Sequence, residues 1–206
     1  MKTRLVSLLV ALVFAGAALS ASAQFPKIKK PKEEKPAEQP AESKETKSSP
    51  EASGPATSSD TMKKVTWADN GISFEVPSNW EQTTLEKDIA SFFLPNSADN
   101  IGASMTISRL GKDFPADQSL KAYQDSAAKQ KSEGTLAKWE NQNIGAAKGL
   151  NQLEAAEGDD ICRLTWIGYQ NRGGWNMVTV LFSSKASGMS NHEATFRKVL
   201  GTFKIE

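Results

Sequence analysis

The sequence is poor in the side chains that most often build reactive sites. Among its 206 residues it has one cysteine, Cys162, and one histidine, His192. A single cysteine cannot form an internal disulfide, and a zinc site needs three or four Cys, His or carboxylate ligands. Neither H-E-x-x-H nor C-x-x-C occurs. We therefore expect no metal and no cofactor, and the stability must come from a hydrophobic core.

Motifs for nucleophilic and phosphate chemistry are also missing. There is no G-x-S-x-G elbow, and the stretch 145–149 has glycine and lysine without the full P-loop pattern. His192 would need a serine or Cys162 beside it, together with an orienting acid. Its expected place in the first turn of the last helix opposes a positive charge, and Cys162 in an apolar strand is typical of a buried, inert thiol. We predict no catalytic residue.

Acidic side chains leave two alternatives open. Asp99-Asn100 and Asp159-Asp160 could contact calcium, but no twelve-residue loop of spaced carboxylates surrounds either pair, so turn formation explains them better. Two glutamates on or near strands could face each other across a groove at the spacing that glycosidases use. The candidates are Glu75, Glu81, Glu140, Glu154 and Glu157.

The first 23 residues have the three parts of a secretory signal peptide. Lys2 and Arg4 give a positive start, the stretch 5–19 is apolar apart from Ser7, and Ala-Ser-Ala ends at Ala23. We predict cleavage before Gln24, which leaves no stable membrane span. There is no cysteine near this end to carry a lipoprotein anchor, so we expect a secreted protein of the periplasm or the extracellular space.

Charge excludes one class of partner. Loss of the two basic residues of the signal peptide leaves 23 basic residues against 24 acidic ones. Nucleic-acid binding needs a strong basic excess on one face, so we expect no nucleic acid among the partners.

Residues 24–63 have a different composition from the rest. This stretch holds six of the nine prolines, is rich in Lys, Glu, Ser and Ala, and has no large apolar residue between Ile28 and Met62. Such a segment cannot bury enough surface to offset the entropy lost on ordering. We predict a disordered linker, either a plain spacer or a tether to an envelope component.

Residues 64–206 are long enough for one ordinary domain and contain all five tryptophans. The alternation of apolar residues predicts strands near 65–67, 72–76, 89–94 and 103–110, then four more near 136–144, 149–156, 161–171 and 175–183. The last four, joined by short glycine-rich turns, predict an antiparallel meander. Helices are predicted at 117–133, ending before Gly134, and at 191–202, with a capping box at Ser190 and Glu193.

The two strands near 161–171 and 175–183 are apolar on both faces, which predicts central strands covered on both sides. The pattern 72–76 alternates, as in a strand covered on one side. Helices must then pack on the sheet, and we predict an α+β fold, an α/β/α sandwich with a largely antiparallel sheet and two main helices.

The stretch GISFEVPSNWE at 71–81 joins a strand to a tryptophan. An Asn-Gly turn precedes it, and both of those residues tolerate positive φ. Pro77 cannot donate to a sheet ladder and should end the strand. Ser78-Asn79 suits a turn, and Trp80 then either fills the core as an apolar plug, which we favour, or forms a stacking platform in a groove.

Together, these pieces resemble the PsbP-like superfamily, which includes PsbP, DcrB-like periplasmic proteins and other secreted domains. The resemblance covers about residues 64–206 and rests mainly on F-x-V-P-x-x-W (Phe74, Val76, Pro77, Trp80) and on the ending 196–205, FRKVLGTFKI. It implies an α/β/α sandwich that acts as a binding or assembly module, without shared catalytic residues.

The leading hypothesis is therefore a secreted, non-catalytic binding or assembly module of the cell envelope, tethered by residues 24–63 and monomeric. Its partner would be a protein or another envelope component, and candidate contact residues are Arg172 and Trp175 at a hairpin tip and Trp139. The alternatives are a carrier of a small apolar ligand, which needs a lined cavity between sheet and helix, and an envelope hydrolase that uses carboxylates.

Overall fold

The computed structural model describes residues 56–158 and 160–206 and places ten strands and two helices in them. The predicted signal peptide, residues 1–23, and the predicted linker up to residue 55 lie outside the described residues. The last part of that predicted linker, residues 56–63, contacts the rest of the fold. Ala56 N donates to Asn96 O, and Met62 begins the first strand.

Seven strands form one antiparallel sheet in the order β3-β4-β5-β9-β8-β7-β6. Consecutive strands β6 to β9 lie side by side, which confirms the predicted meander. Their bounds are β3 Glu81–Leu85, β4 Ile89–Phe93, β5 Gly102–Gly111, β6 Leu136–Asn141, β7 Lys148–Glu154, β8 Ile161–Asn171 and β9 Trp175–Lys185.

A small second sheet has the order β1-β2-β10. Its strands are β1 Met62–Trp67, β2 Ile72–Pro77 and β10 Lys204–Ile205. A 3-10 turn, Ala68–Asn70, joins β1 to β2, and Gly71 follows it with a φ of 61°. The hairpin was predicted correctly, but only the glycine of the Asn-Gly pair has positive φ.

The two helices pack on opposite faces of the large sheet. Helix α1, Ala116–Ser132, lies over β6, β7 and β8, and Gly134 follows it with a φ of 81°, as predicted. Helix α2, Met189–Gly201, packs with the small sheet against the other face. The predicted α+β sandwich is therefore confirmed.

The main core lies between α2, the small sheet and the large sheet. Phe182 of β9 stacks on Phe196 of α2 with ring centroids 5.1 Å apart, and Phe74 stacks on Phe203 at 4.6 Å. Trp80 is 0% exposed, and its Nε1 donates to Ser58 Oγ at 3.0 Å. The prediction that Trp80 is a core plug is confirmed, and the groove platform is wrong.

Two local predictions fail for physical reasons. Helix α2 begins before Ser190, with Gly188 as its N-cap and no side-chain cap, so the predicted capping box is wrong. Glu193 instead accepts a hydrogen bond from Arg197 Nε at 2.7 Å. Strand β3 was missed because its sequence, EQTTL, is polar and almost wholly exposed at the sheet edge.

Candidate partner-binding face

One face of the large sheet is covered only in part. Helix α1 reaches β9 through Tyr123, whose hydroxyl lies 3.9 Å from the Met177 sulfur. Beyond it, β4, β5 and β9 alternate between buried and half-exposed residues, so each has one uncovered side. We call the half-exposed side of the segments 89–93, 102–108 and 175–183 the open face; Leu110 and Lys185, which are half-exposed near the ends of β5 and β9, lie just beyond it. The open face consists of Ile89, Ser91, Phe93, Gly102, Ser104, Thr106, Ser108, Trp175, Met177, Thr179, Leu181 and Ser183.

The strand register places these residues in rows across one surface. Ser91 pairs with Ser104, which pairs with Leu181. Partners that lie directly opposite in an antiparallel sheet point to the same side. The centre of the open face is therefore lined by small hydroxyl side chains, with larger apolar ones on both flanks.

The open face itself carries no charged side chain, but charged residues border it: Lys185 follows it on β9, Glu81 pairs with Phe93, and Arg163 pairs with Ser183. Charged residues make up 24% of the chain, so about three would be expected among these twelve positions by composition alone. The cores of protein–protein interfaces are depleted of charge and enriched in aromatic residues and methionine. The lack of charge and the side chains of Phe93, Trp175 and Met177 match an interface core, whereas the four serines of the open face are a residue type that interfaces use less often.

Strand geometry gives the approximate size of this surface. Three strands at about 4.8 Å spacing are roughly 14 Å wide, and the span from Trp175 to Ser183 is about 27 Å long. The product is roughly 400 Å². Five large apolar side chains, Ile89, Phe93, Trp175, Met177 and Leu181, supply the apolar part of this area. A standard interface buries about 800 Å² per partner, so a rim on neighbouring elements would be needed.

The structure corrects one prediction about strand β9. The strand is central, as its apolar sequence indicated, but it is not covered on both sides, because its burial alternates along its whole length. Strand β8 comes closer to the prediction: Tyr169 on its α1 side is 3% exposed, although Ile161 at its start is 42% exposed.

The three predicted contact residues do not come together. Trp175 is half-exposed and lies at the end of the open face. Arg172 is exposed at the β8–β9 turn, and its guanidinium lies against Gly71, where a Cβ would overlap it. Trp139 is half-buried on β6, three strands from β9, where it packs against the small apolar cluster under α1.

An acid-lined cavity of about 490 Å³ opens near the end of α1. Its lining includes Glu133, Glu154, Glu157 and Asp160. Two of these carboxylates have basic partners: Glu154 lies 3.4 Å from Arg163, and Glu133 lies 3.7 Å from Lys129. The cavity brings two of the predicted glutamates, Glu154 and Glu157, to one place, whereas Glu75 and Glu81 are exposed on other strands.

Cys162 also lines this cavity, but its side chain is 2% exposed. Burial raises the pKa of the thiol, and the nearby Glu154 carboxylate raises it further. Because the thiolate is the reactive form, this environment suppresses nucleophilic chemistry. The prediction that Cys162 is buried is confirmed, and its inertness stays a prediction.

His192 has the acid that a catalytic dyad would need. Its Nε2 lies 2.7 Å from Asp99 Oδ2, and the pair joins α2 to the β4–β5 loop. Among the hydrogen bonds of the described residues, none links His192 to a serine hydroxyl or to Cys162. The geometry is that of a structural hydrogen bond that ties the start of α2 to the loop between β4 and β5.

A second cavity, of about 330 Å³, lies between β6 and α2 on the other side of the sheet. Glu140 lies there and accepts a hydrogen bond from Arg197 Nη1 at 3.1 Å. A hydrogen bond from Asn151 holds the pKa of Glu140 below its ordinary value, with Lys138 and Arg197 acting in the same direction. A general acid needs a raised pKa, so Glu140 is not suited to that role.

The part of the chain that the structure describes also bears on metal binding and on membrane insertion. In residues 56–158 and 160–206, no three His, Cys, Asp or Glu side chains gather closely enough to hold a metal ion. Neither helix in these ranges is long and apolar enough to cross a membrane.

Solved structures with the same arrangement of strands and helices define the class of fold. CyanoP, the PsbP of the cyanobacterium Synechocystis sp. PCC 6803, has a TM-score of 0.50 and 16% identity, covering 77% of this chain and 100% of its own. LpqN of Mycobacterium tuberculosis, described as involved in cell envelope biogenesis, has a TM-score of 0.50 and 13% identity, covering 70% of this chain and 90% of its own. No family model and no curated protein matches the sequence.

The protein therefore has the PsbP-like fold. At these sequence identities the likeness concerns the fold, which confirms the architecture that the F-x-V-P-x-x-W stretch implied. The sites of this chain must be argued from its own residues.

Proposed function

We propose that the protein is a secreted, non-catalytic binding or assembly module of the cell envelope, and that its open face docks a protein partner. The observation that carries the proposal is the composition of that face. Twelve half-exposed residues on three adjacent strands include no charge, while Trp175, Met177, Leu181 and Phe93 offer large apolar side chains. A surface of this kind gains free energy when a partner removes it from water.

Three further observations support a role outside the cytoplasm and without catalysis. The first 23 residues have the pattern of a signal peptide, and residues 24–55 have the composition of a flexible tether. LpqN, which shares the fold, is described as involved in cell envelope biogenesis. Cys162 and His192 sit in environments that do not favour nucleophilic chemistry.

The two alternatives have less support. A carrier of an apolar ligand needs an apolar cavity between sheet and helix, yet Trp80, Trp166, Phe182 and Phe196 fill the space on the α2 side, each 0% exposed. A carboxylate hydrolase could use the acid-lined cavity, but two of its four acidic residues are paired with Lys129 and Arg163.

Site-specific photo-cross-linking in the native envelope tests the docking face. A photoreactive residue replaces Thr106 or Thr179 on the open face, and the control replaces Ala128, which is exposed on α1. We expect both open-face positions to cross-link to the same protein and the Ala128 position not to do so. A separate variant that introduces a charge, Thr179→Lys, should reduce the Thr106 cross-link at least about tenfold, because it buries an unpaired charge in the interface.

Cross-linking that is absent at both open-face positions, or equally strong at Ala128, would contradict the proposal. Fractionation of the same cells tests the predicted secretion: the mature chain should begin at Gln24 and lie outside the cytoplasm. A cytoplasmic chain that retains Met1 would refute that part independently.

A further inference from the structure

The middle strand of the open face contributes only small side chains to it. On β5 these are Gly102, Ser104, Thr106 and Ser108. The strands on either side contribute the five large apolar side chains, which are Ile89 and Phe93 on β4 and Trp175, Met177 and Leu181 on β9. The open face is therefore a shallow trough along β5 between two apolar walls, and we call it the β5 trough.

The strand register staggers the two walls. Along β5 from Gly102 to Ser108, the large side chains in register are in turn Phe93 on β4, Leu181 on β9, Ile89 on β4 and Met177 on β9. Positions two apart on a strand are separated by about 6.8 Å. Each wall therefore has gaps opposite the large residues of the other wall, and the side chains of an inserted element can fill them.

The width of the β5 trough fits one helix. Its walls stand on strands that are about 9.6 Å apart, and a helix with its side chains is about 10–12 Å across. A helix also pairs its own backbone groups, whereas a single extended segment on the face of a sheet would leave its N–H and C=O groups without partners. A helix therefore meets both the shape and the hydrogen-bonding requirement.

Helix α1 shows how this side of the large sheet holds a helix. It lies over β6, β7 and β8, and Tyr123 extends from it to Met177 on β9. A helix centred on β5 would be three strands, or about 14 Å, from one centred on β7, while packed helices approach to about 8–10 Å. A second helix on the β5 trough therefore avoids a clash with α1, and Tyr123 and Met177 fill the space between the two.

The side of α1 that faces the β5 trough is uncharged. Residues three and four positions apart share one side of a helix, so Tyr123 shares its side with Ser119, Ser126 and Gln130. The charged residues of α1 occupy the rest of its circumference, and they are Asp117, Lys121, Asp125, Lys129 and Lys131. A partner with charges along its contact side would therefore bury them without a counter-charge on either the sheet or α1.

One end of the β5 trough is positively charged. Lys185 continues the half-exposed side of β9 there, and none of the ion pairs among the described residues includes it. Arg163, which pairs with Ser183 at the same end, is already compensated by Glu154. Because the C-terminal end of a helix carries a partial negative charge, a docked helix gains most when that end lies beside Lys185.

We infer that the partner docks through one amphipathic helix, which lies along β5 with its C-terminus towards Lys185. The inference rests on the proposed docking function of the open face and names the element that this face receives. The open face is about 27 Å long, which corresponds to about 18 helical residues. The contact side of the helix should carry large apolar residues three and four positions apart and no charge.

Mapping the cross-linked residues of the partner tests the inference. A photoreactive residue replaces Ser104, Thr106 or Ser108 in turn in the full chain, and mass spectrometry locates the attachment point on the partner in the native envelope. Each step of about 6.8 Å along β5 equals about four or five residues on a helix but about two on an extended segment. We expect the Ser104 attachment point to lie about nine residues C-terminal to the Ser108 one, on the same side of one helix.

A variant that fills the β5 trough gives a second test. Ser104→Phe should reduce the cross-link from Thr106 at least about tenfold, because the ring occupies the space that the helix needs. The matched control Ala128→Phe places the same ring on an exposed position of α1, away from the trough, and should leave the cross-link unchanged. The spacing of attachment points is measured without this variant, so it decides the question even if Ser104→Phe does not fold.

The outcomes separate the helix from the docking function. Attachment points about two residues apart, or scattered over loops of one protein, would refute the helix while the docking function stands. The opposite order of attachment points would refute the orientation set by Lys185, and equal cross-linking of Ser104→Phe and Ala128→Phe would refute the β5 trough as the seat of the helix. No cross-link from any of the three β5 positions would refute the docking function itself.

Discussion

Replacing Gly168 by alanine should destabilise the protein, because Trp166 lies across this glycine and Gly149. A Cβ at position 168 would overlap the indole ring. The ring cannot move aside easily, since Trp166 is 0% exposed and its Nε1 donates to Gln142 O at 2.8 Å. Because Gln142 lines the small cavity between β6 and α2, this contact links the main core to the wall of that cavity.

Two opposing effects set the size of the change. Overpacking a filled core costs about 1–3 kcal/mol, whereas replacing a strand glycine by alanine gains about 0.5–1 kcal/mol from the unfolded state. We therefore expect a net loss of about 1–2 kcal/mol in the free energy of unfolding. For a domain of this size that corresponds to a fall of roughly 2–8 °C in Tm.

Urea unfolding of the Gly168→Ala variant measures this loss of free energy, with the Gly201→Ala variant as the matched control. Gly201, in the last turn of α2, has no atom within 4 Å of a built Cβ, so the same substitution should be neutral or stabilising by about 0.5–1 kcal/mol. Equal stabilities for the two variants would refute the reasoning. Adding Trp166→Phe should relieve part of the Gly168→Ala loss, which would appear as a coupling of at least about 0.5 kcal/mol between the two sites.

Two other predictions concern the linker and the thiol. Trypsin should cut the mature chain after Lys47 but spare Lys63 and Lys64, because these two lysines are paired with β2 in the small sheet. A stable fragment that begins at Lys64 or Val65 would contradict this. Cys162 should react with a thiol reagent at pH 8 at least about a hundredfold more slowly in the folded protein than in denaturant, because the buried thiol has a raised pKa. A native thiol that reacts as fast as the unfolded one would contradict the assignment. The raised pKa also makes the free energy of unfolding depend on pH: the stability present while the thiol is protonated is lost as pH rises beyond the ordinary pKa of 9.0 towards the folded pKa.

Periodicity in the sequence was sufficient to predict the long elements. Strand β8 was predicted with the bounds 161–171 that it has, because short glycine-rich turns flank a run of large apolar residues. The prediction failed where the local sequence is weakly patterned. Strands β3 and β10 are formed by pairing with β4 and β2, which is a tertiary interaction that their own residues do not encode.

The candidate sites were harder to predict because they depend on pairs of distant residues. Asp99 and His192 are 93 positions apart, and Glu140 and Arg197 are 57 apart. Nothing in either stretch indicates that these partners meet. Of the predicted contact residues, Trp175 lies on the open face, while the serines and threonines that make up half of that surface gave no signal in the sequence beyond their alternation.

A simple count of elements does predict that part of the large sheet is uncovered. Seven strands at about 4.8 Å spacing are roughly 34 Å wide, while a helix with its side chains is about 10 Å across and covers two strands. Helix α2 has the small sheet beside it, but α1 is alone on its side within the described residues. It covers β6, β7 and part of β8, and reaches β9 only through the contact of Tyr123 with Met177. Strands β4, β5 and β9 must then present one side to solvent or to a partner. Because β9 nevertheless has Trp175 and Leu181 on that side, beyond the contact of Tyr123 with Met177, the apolar pattern that suggested a covered strand is the pattern that the proposed docking partner would cover.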